Sequence, residues 1–350
     1  MDRIRTILYE AAIIFLSGVA ITCLVIFIWN QTHRLTIQSF KKEYSTGVAA
    51  DQLAIAEKYL KVFPVEKLMQ AVEEQNANGT CHIQAHPIGR ALYKANPNFT
   101  EGIRQCGGSC TFGCFHGVMM EMFATDSDTL GGVIEDESPK QYLAHVQSLA
   151  KDLCTKPEVE SLVQKRTCYH GLGHVFESMQ NNNLDRGLRA CDIFKGPKER
   201  EACVTGIFME HLFNPSAIAE RNTKGEEPCN AYPQFTKECY IYKAYGWVIA
   251  WGGVQSAMRA CDSFGERKLI CIRDVARVGA SEKKMETAAG FKELCGALRG
   301  DEYKECVSGA FLKIIYLNNG DDSDHACDSV ALPFRKYCVD LLHSYLNENI

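Results

Sequence analysis

Residues 188–206 read LRACDIFKGPKEREACVTG: Cys191 ends one helix-like segment and Cys203, twelve residues on, opens another. The pattern recurs along the chain. First cysteines close segments in LRAC (188–191), MRAC (258–261) and KELC (292–295). Second cysteines open segments as Cys-x-x-Gly in CFHG (114–117), CYHG (168–171), CVTG (203–206) and CVSG (306–309). Ala, Leu, Met, Lys and Glu dominate around them and strand-like alternation is scarce, so helices are favoured. Each unit reads as a helix, a turn closed by a disulfide, and a second helix.

Such a clamp is physically reasonable. Neighbouring helices pack about 8–10 Å apart, and near a turn two cysteines can reach the Cα separation of about 5.5 Å that a disulfide needs. Closing a loop of this size stabilises by about 3 kcal/mol in the chain-entropy picture. The glycine three residues after the cysteine lies one turn into the helix. Its missing side chain lets another backbone approach, at a propensity cost of about 1 kcal/mol.

Paired from the C-terminus, the cysteines are 327/338, 295/306, 261/271, 229/239, 191/203 and 154/168. The second members step by 35, 36, 32, 35 and 32 residues, the signature of a repeat array. The interval from Cys114 to Cys168 is longer and implies an insertion of about 20 residues near 124–139. Among the remaining four cysteines the register favours 106–114, because GIRQC ends a segment and CFHG opens one, which leaves 81–110. The fold expected is all-α: a membrane-anchored array of disulfide-clamped helical hairpins, an α-solenoid or α/α toroid over residues 81–350. Residues 31–80 lack the cysteine pattern, and LAIAEKYLKVF (53–63) and VEKLMQAVEEQ (65–75) read as amphipathic helices of a stalk or cap.

The anchor rests on residues 11–30. Ala11 to Trp29 is 19 residues without a charge, close to the roughly 20 apolar residues that span a bilayer. It lacks the short apolar core and small-residue exit of a cleaved signal peptide, so an uncleaved signal anchor is expected, with residues 1–10 as a cytoplasmic tail. The chain has 17 cysteines, and setting aside Cys23 within the apolar stretch leaves an even sixteen. So many cysteines in bridge-like spacing fit an oxidising compartment and place the body outside the cytoplasm. The net charge of −5 is spread without a basic stripe, and there is no Gly-rich phosphate loop, so neither nucleic acid nor nucleotide is expected as a ligand.

Seven of the ten histidines fall between residues 82 and 211, and all but His145 follow the repeat pattern: His82, His86, His116, His170, His174 and His211. Two pairs, 82/86 and 170/174, have the four-residue spacing that stacks side chains on one helical face, where both can bind one ion. His116 and His170 each stand two residues after a cysteine that opens a helix. Glu177 continues the His170 stripe, and Glu121 and Glu210 stand seven after Cys114 and Cys203. With the cysteines bridged, imidazole and carboxylate remain as ligands, suited to a divalent transition metal such as zinc, iron or copper. Met119, Met120 and Met122 add a slight tilt towards copper, although buried methionines are more often core filler.

The expected ligands are His170, His174 and His116, completed by His82, His86 or Glu177. Glu121 and Glu210 are expected to orient a ligand or act as a general base. If Pro87 begins its helix, His86 caps that helix instead of binding metal. The Cys-x-His-Gly motif at 114–117 and 168–171 resembles the zinc-binding motif of the lanthionine synthetase cyclases, α/α toroids, over those four residues only. Pairing of the cysteines would remove that family's ligands. Two functions are therefore in view: an extracytoplasmic metal-binding protein, with scope for a metalloenzyme, or a scaffold whose concave face holds a protein partner at the membrane. A metal site requires the histidines to converge within about 4–5 Å, each ring backed by an acceptor, whereas a scaffold leaves them scattered.

Overall fold

A computed structural model describes residues 35–47, 49–75, 81–129, 150, 153–155, 159, 162–180, 182–282, 288–317, 327–328 and 332–347. These residues are all-helical, with no strand among them. In chain order the helices are α1 (Ile37–Thr46), α2 (Ala49–Leu60), α3 (Val65–Gln75), α4 (Cys81–Ala95), α5 (Phe99–Cys106), α6 (Gly113–Thr129), α7 (Leu162–Met179) and α8 (Leu184–Ala190). They continue as α9 (Pro197–Phe213), α10 (Ile218–Arg221), α11 (Thr236–Ala250), α12 (Val254–Ala260), α13 (Lys268–Glu282), α14 (Ala288–Cys295), α15 (Gly300–Leu317) and α16 (Leu332–Asn347).

Local chemistry sets several of the boundaries. Thr36 and Ser39 form a reciprocal capping box at the start of α1. Asn98 and Asn183 cap α5 and α8 through their side-chain oxygens. Pro197 sits in the first turn of α9, where its missing N–H costs nothing. Pro87, by contrast, lies inside α4, which already begins at Cys81, so His86 does not cap that helix. The i−4 hydrogen bond that Pro87 cannot make would have gone to Ile83, one of the few large apolar residues left exposed, so the loss falls on the solvent side.

The eight disulfides join the pairs that the spacing predicts: 81–110, 106–114, 154–168, 191–203, 229–239, 261–271, 295–306 and 327–338. Cα separations run from 5.3 Å at Cys81–Cys110 to 5.9 Å at Cys327–Cys338. Most second cysteines do not open their helices, however. Cys168, Cys203 and Cys306 lie one to two turns inside α7, α9 and α15. The bridge therefore joins the end of a short helix to the flank of a long one, and the preceding turn of the long helix is free to begin earlier.

The long helices pack against one another in chain order: α4 on α6, α6 on α7, α7 on α9, α9 on α11, α11 on α13 and α13 on α15. The closest of these contacts are made where glycine removes a side chain. A Cβ at Gly117 would lie 2.1 Å from the His86 carbonyl oxygen, one at Gly206 1.9 Å from that of His170, and one at Gly309 1.9 Å from that of Arg273. These are the glycines of CFHG, CVTG and CVSG, and each faces the preceding long helix. On the N-terminal side α1, α2 and α3 pack together and α2 and α3 lie against α4. The Glu73 carboxylate there accepts the Cys110 N–H at 3.0 Å.

The expected membrane anchor and single-pass localisation are corrected: among the described residues no helix is long and apolar enough to cross a membrane. The longest, α7 and α15, each run 18 residues, but they carry Lys165, Arg166 and Glu177 in one and Asp301, Glu302, Lys304, Glu305 and Lys313 in the other. The stretch 11–30 that carried the expectation lies outside the described residues. So do the tail 1–10 and most of the insertion beyond Thr129.

Candidate metal centre

Three successive long helices present the side chain two residues after their cysteine to a common interior: His116 on α6, His170 on α7 and Thr205 on α9. His82 on α4 and His174, one turn beyond His170, join them. His82, His116, His170 and His174 are all buried, and each offers a ring nitrogen to a group of four that lie within 4.8 Å of one another. Gly171 makes room for this, since a Cβ there would stand 2.7 Å from the His116 ring carbon Cδ2. The glycine of CYHG is thus required by the neighbouring histidine.

The hydrogen bonds decide which nitrogen of each ring faces inward. His82 Nδ1 lies 3.2 Å from the Cys110 carbonyl, and His116 Nε2 lies 3.1 Å from the Thr167 carbonyl. A carbonyl only accepts, so both of these nitrogens carry the proton. The Thr205 hydroxyl donates to the Ala202 carbonyl at 2.6 Å, and so accepts from His170 Nδ1 at 2.9 Å. His174 Nδ1 donates to the Glu210 carboxylate at 2.8 Å. In all four rings the outer nitrogen is committed as a donor. The inner nitrogens (His82 Nε2, His116 Nδ1, His170 Nε2 and His174 Nε2) turn their lone pairs to the interior.

Those lone pairs face each other. His82 Nε2 and His116 Nδ1 are 3.2 Å apart, and His170 Nε2 and His174 Nε2 are 3.1 Å apart. Burial, followed by the charges that neighbouring rings would carry, pushes the His116 and His170 imidazoles well below the ordinary histidine range, so both stay neutral at pH 7. A proton bridging each pair would place two imidazolium charges side by side in a buried site, which this environment disfavours. A single cation at the centre satisfies all four donors at once.

The backbone that holds the first of these rings is unusual. Cys110 and Phe112 have φ of +50° and +65°, a region L-residues with side chains rarely occupy. The segment is held from both sides by the 81–110 and 106–114 bridges and presents the Cys110 carbonyl to His82. Strain retained beside a convergent polar cluster is a common companion of function.

The other expected residues are placed differently. The Glu210 carboxylate lies against the cluster and accepts from His174 Nδ1 at 2.8 Å. The Glu121 carboxylate takes Arg90 at 2.8 Å and lies 3.8 Å from Lys94. Glu177 lies outside the cluster, because two turns beyond His170 its carboxylate turns to α9 and accepts from His211 Nδ1 at 2.8 Å. His86 also stands outside the group of four, its ring centre 5.0 Å from that of His82 and 5.2 Å from that of His174. The Met119 sulfur packs against Gly171 as part of the core.

Three ring-orienting groups escape a reading of the sequence. Two are the carbonyls of Cys110 and Thr167, which carry no signal in the residue type. The third, Thr205, does carry one: it occupies in CVTG the place of histidine in CFHG and CYHG. Among the described residues no thiolate is available to the centre, since the cysteines beside it are all in disulfides. Neither family models nor curated proteins nor solved structures give a match to the chain, so what the centre does is read from its own donors.

Proposed function

We propose that this chain is a metal-binding protein that holds one divalent transition ion on His82, His116, His170 and His174. The convergence of four imidazole lone pairs, each ring backed by a hydrogen-bond acceptor, carries the reading. A tetrahedral ion with bonds of about 2.0–2.1 Å has donor–donor edges of about 3.3–3.4 Å. The two close nitrogen pairs, at 3.1 and 3.2 Å, already have nearly that spacing. Small ring movements bring the widest separation, 4.8 Å, towards it. Neutral imidazole donors suit zinc, copper, iron and nickel, and the absence of carboxylate from the inner set argues against calcium and magnesium.

The centre also joins two tight helix pairs, α4/α6 and α7/α9, which we read as two units of an internal repeat whose later members keep the disulfide and lose the histidines. In those later helices the residue two after the cysteine is Ile241, Arg273 or Ser308. Elemental analysis of natively purified protein is the test, with about one zinc, copper or iron per chain as the expected result. His170→Ala and His174→Ala should each remove the metal and leave the disulfide-bonded helical body folded, while His343→Ala on α16 leaves the metal in place. Wild-type protein without metal, combined with a His174→Ala variant changed only in melting temperature, would overturn the proposal.

A further inference from the structure

His86 is the one ring beside the centre that the four-donor arrangement leaves unexplained. It is only 7% exposed, and its Nε2 has no hydrogen-bond partner. A buried polar atom without a partner is costly and uncommon, and where one persists it usually meets something that the protein alone does not supply. The ring stands edge-on to His82 and His174, with centres 5.0 and 5.2 Å away, and 6.0 Å from His116. It therefore borders the centre on the side of those two ligands.

The position is also held firmly. The His86 carbonyl is packed against Gly117 so closely that a Cβ there would lie 2.1 Å from its oxygen, which pins this turn of α4 to α6. With its backbone fixed in this way and its side chain buried, His86 stays beside the centre. Neutral imidazole can donate or accept through Nε2 according to its tautomer, so the orphaned atom suits a small ligand that itself donates and accepts.

We propose that the metal, held by the four histidines, adds a fifth ligand on the side of His86, a water or hydroxide that hydrogen-bonds to His86 Nε2 and is displaced by small anions, so that the coordination expands from four to five. This rests on the four-histidine reading and makes the centre a ligand-binding one in place of a closed structural one. A closed tetrahedral site has no use for an unpaired fifth imidazole, whereas a site that expands to five needs a group to hold its exogenous ligand. The ring acts on the ligand and is not itself a donor to the metal.

The test uses the full chain loaded with Co(II), whose visible spectrum reports coordination number and ligand exchange, titrated with azide. The wild-type spectrum is expected to shift on azide addition. His86→Phe should keep one Co(II) per chain but bind azide about tenfold more weakly, and His86→Gln, which can still hydrogen-bond, should recover much of the loss. Failure to bind Co(II) at all refutes the four-histidine reading, and this inference with it, before azide is added. Stoichiometric Co(II) with a spectrum indifferent to azide overturns the fifth position alone, whatever the variants do. Loss of metal from a folded His86→Phe variant would make His86 a ligand and overturn its assigned role. Unchanged azide affinity in that variant would do the same.

Discussion

At the scale of single residues the proposed centre depends on groups that would not themselves touch a metal. Glu210 fixes the tautomer of His174 and raises the basicity of its inner nitrogen, which strengthens the bond to a cation. Glu210→Gln keeps an acceptor at that place but removes the charge. Metal affinity, measured by competition with a chelator, should fall about 10- to 100-fold, and an unchanged affinity would mean the carboxylate is incidental. Glu177 illustrates the opposite case. It is fully buried and held by His211, so His211→Ala leaves a carboxylate without its partner and should destabilise by about 3 kcal/mol. Burial pulls the His211 pKa down, but the hydrogen bond and charge of Glu177, helped by Glu220, bring it above its ordinary 6.5. Its contribution is therefore full below pH 6.5 and is lost as pH rises through the higher folded value. Burial likewise raises Glu177, so the pair as a whole weakens with rising pH. Melting temperatures of wild type and His211→Ala should lie furthest apart below pH 6.5 and draw together above it; a gap that widens with pH would refute the sign. His170 and His174 were legible because a spacing of four fixes a shared helical face. The same reasoning misplaced Glu177, because position on a helix says nothing about a competing partner on the next one.

At the scale of helices the determinant is how closely two backbones approach. Gly206 lets α9 meet α7 at the very residue, His170, that is proposed as a ligand, and Gly309 lets α15 meet α13 away from the histidine cluster. Gly206→Ala and Gly309→Ala therefore make the same clash, each Cβ within 1.9 Å of a carbonyl oxygen that belongs to a helix backbone. Both should destabilise by about 1–3 kcal/mol, since neither neighbour can yield as a flexible side chain would. Only Gly206→Ala should also weaken metal binding, by moving His170 and its Thr205 partner relative to the other rings. Equal losses of affinity in both variants would show that general stability, not local geometry, governs the centre. The helical pairs were readable from the sequence because each bridge spans few residues and each Cys-x-x-Gly sets its own cysteine and glycine on the chain. The helix starts were not, since a disulfide constrains two points and leaves the turns before them free. The inward direction of His82 was equally hidden, because it depends on a backbone carbonyl in a loop with positive φ.

At the scale of the whole molecule the four proposed ligands come from α4, α6 and α7, and Glu210 and Thr205 come from α9. A metal there would tie the first helix pair to the second, which meet across α6 and α7 and at the His86–His174 ring contact, while α13, α15 and α16 contribute no ligand. The disulfides do not make this tie. Around the centre they join residues 81–110, 106–114, 154–168 and 191–203, so each bridge closes a local loop and none links the first pair of helices to the second. Without metal the two pairs should therefore stay individually folded yet be freer to separate, with the facing lone pairs favouring separation. Bound metal stabilises by mass action, about 2.7 kcal/mol at a free concentration one hundred times its Kd. That gain should appear where the pairs meet and not uniformly along the chain. Hydrogen exchange on metal-free and metal-loaded protein is the direct measurement. Protection should rise in 81–129 and 162–213 and stay unchanged in 268–317, whose helices are joined by the same kind of disulfide and glycine contact but hold no ligand. Protection that rises equally throughout would mean that the metal acts on one cooperative body, and the centre would then be a global staple instead of a local link between two pairs.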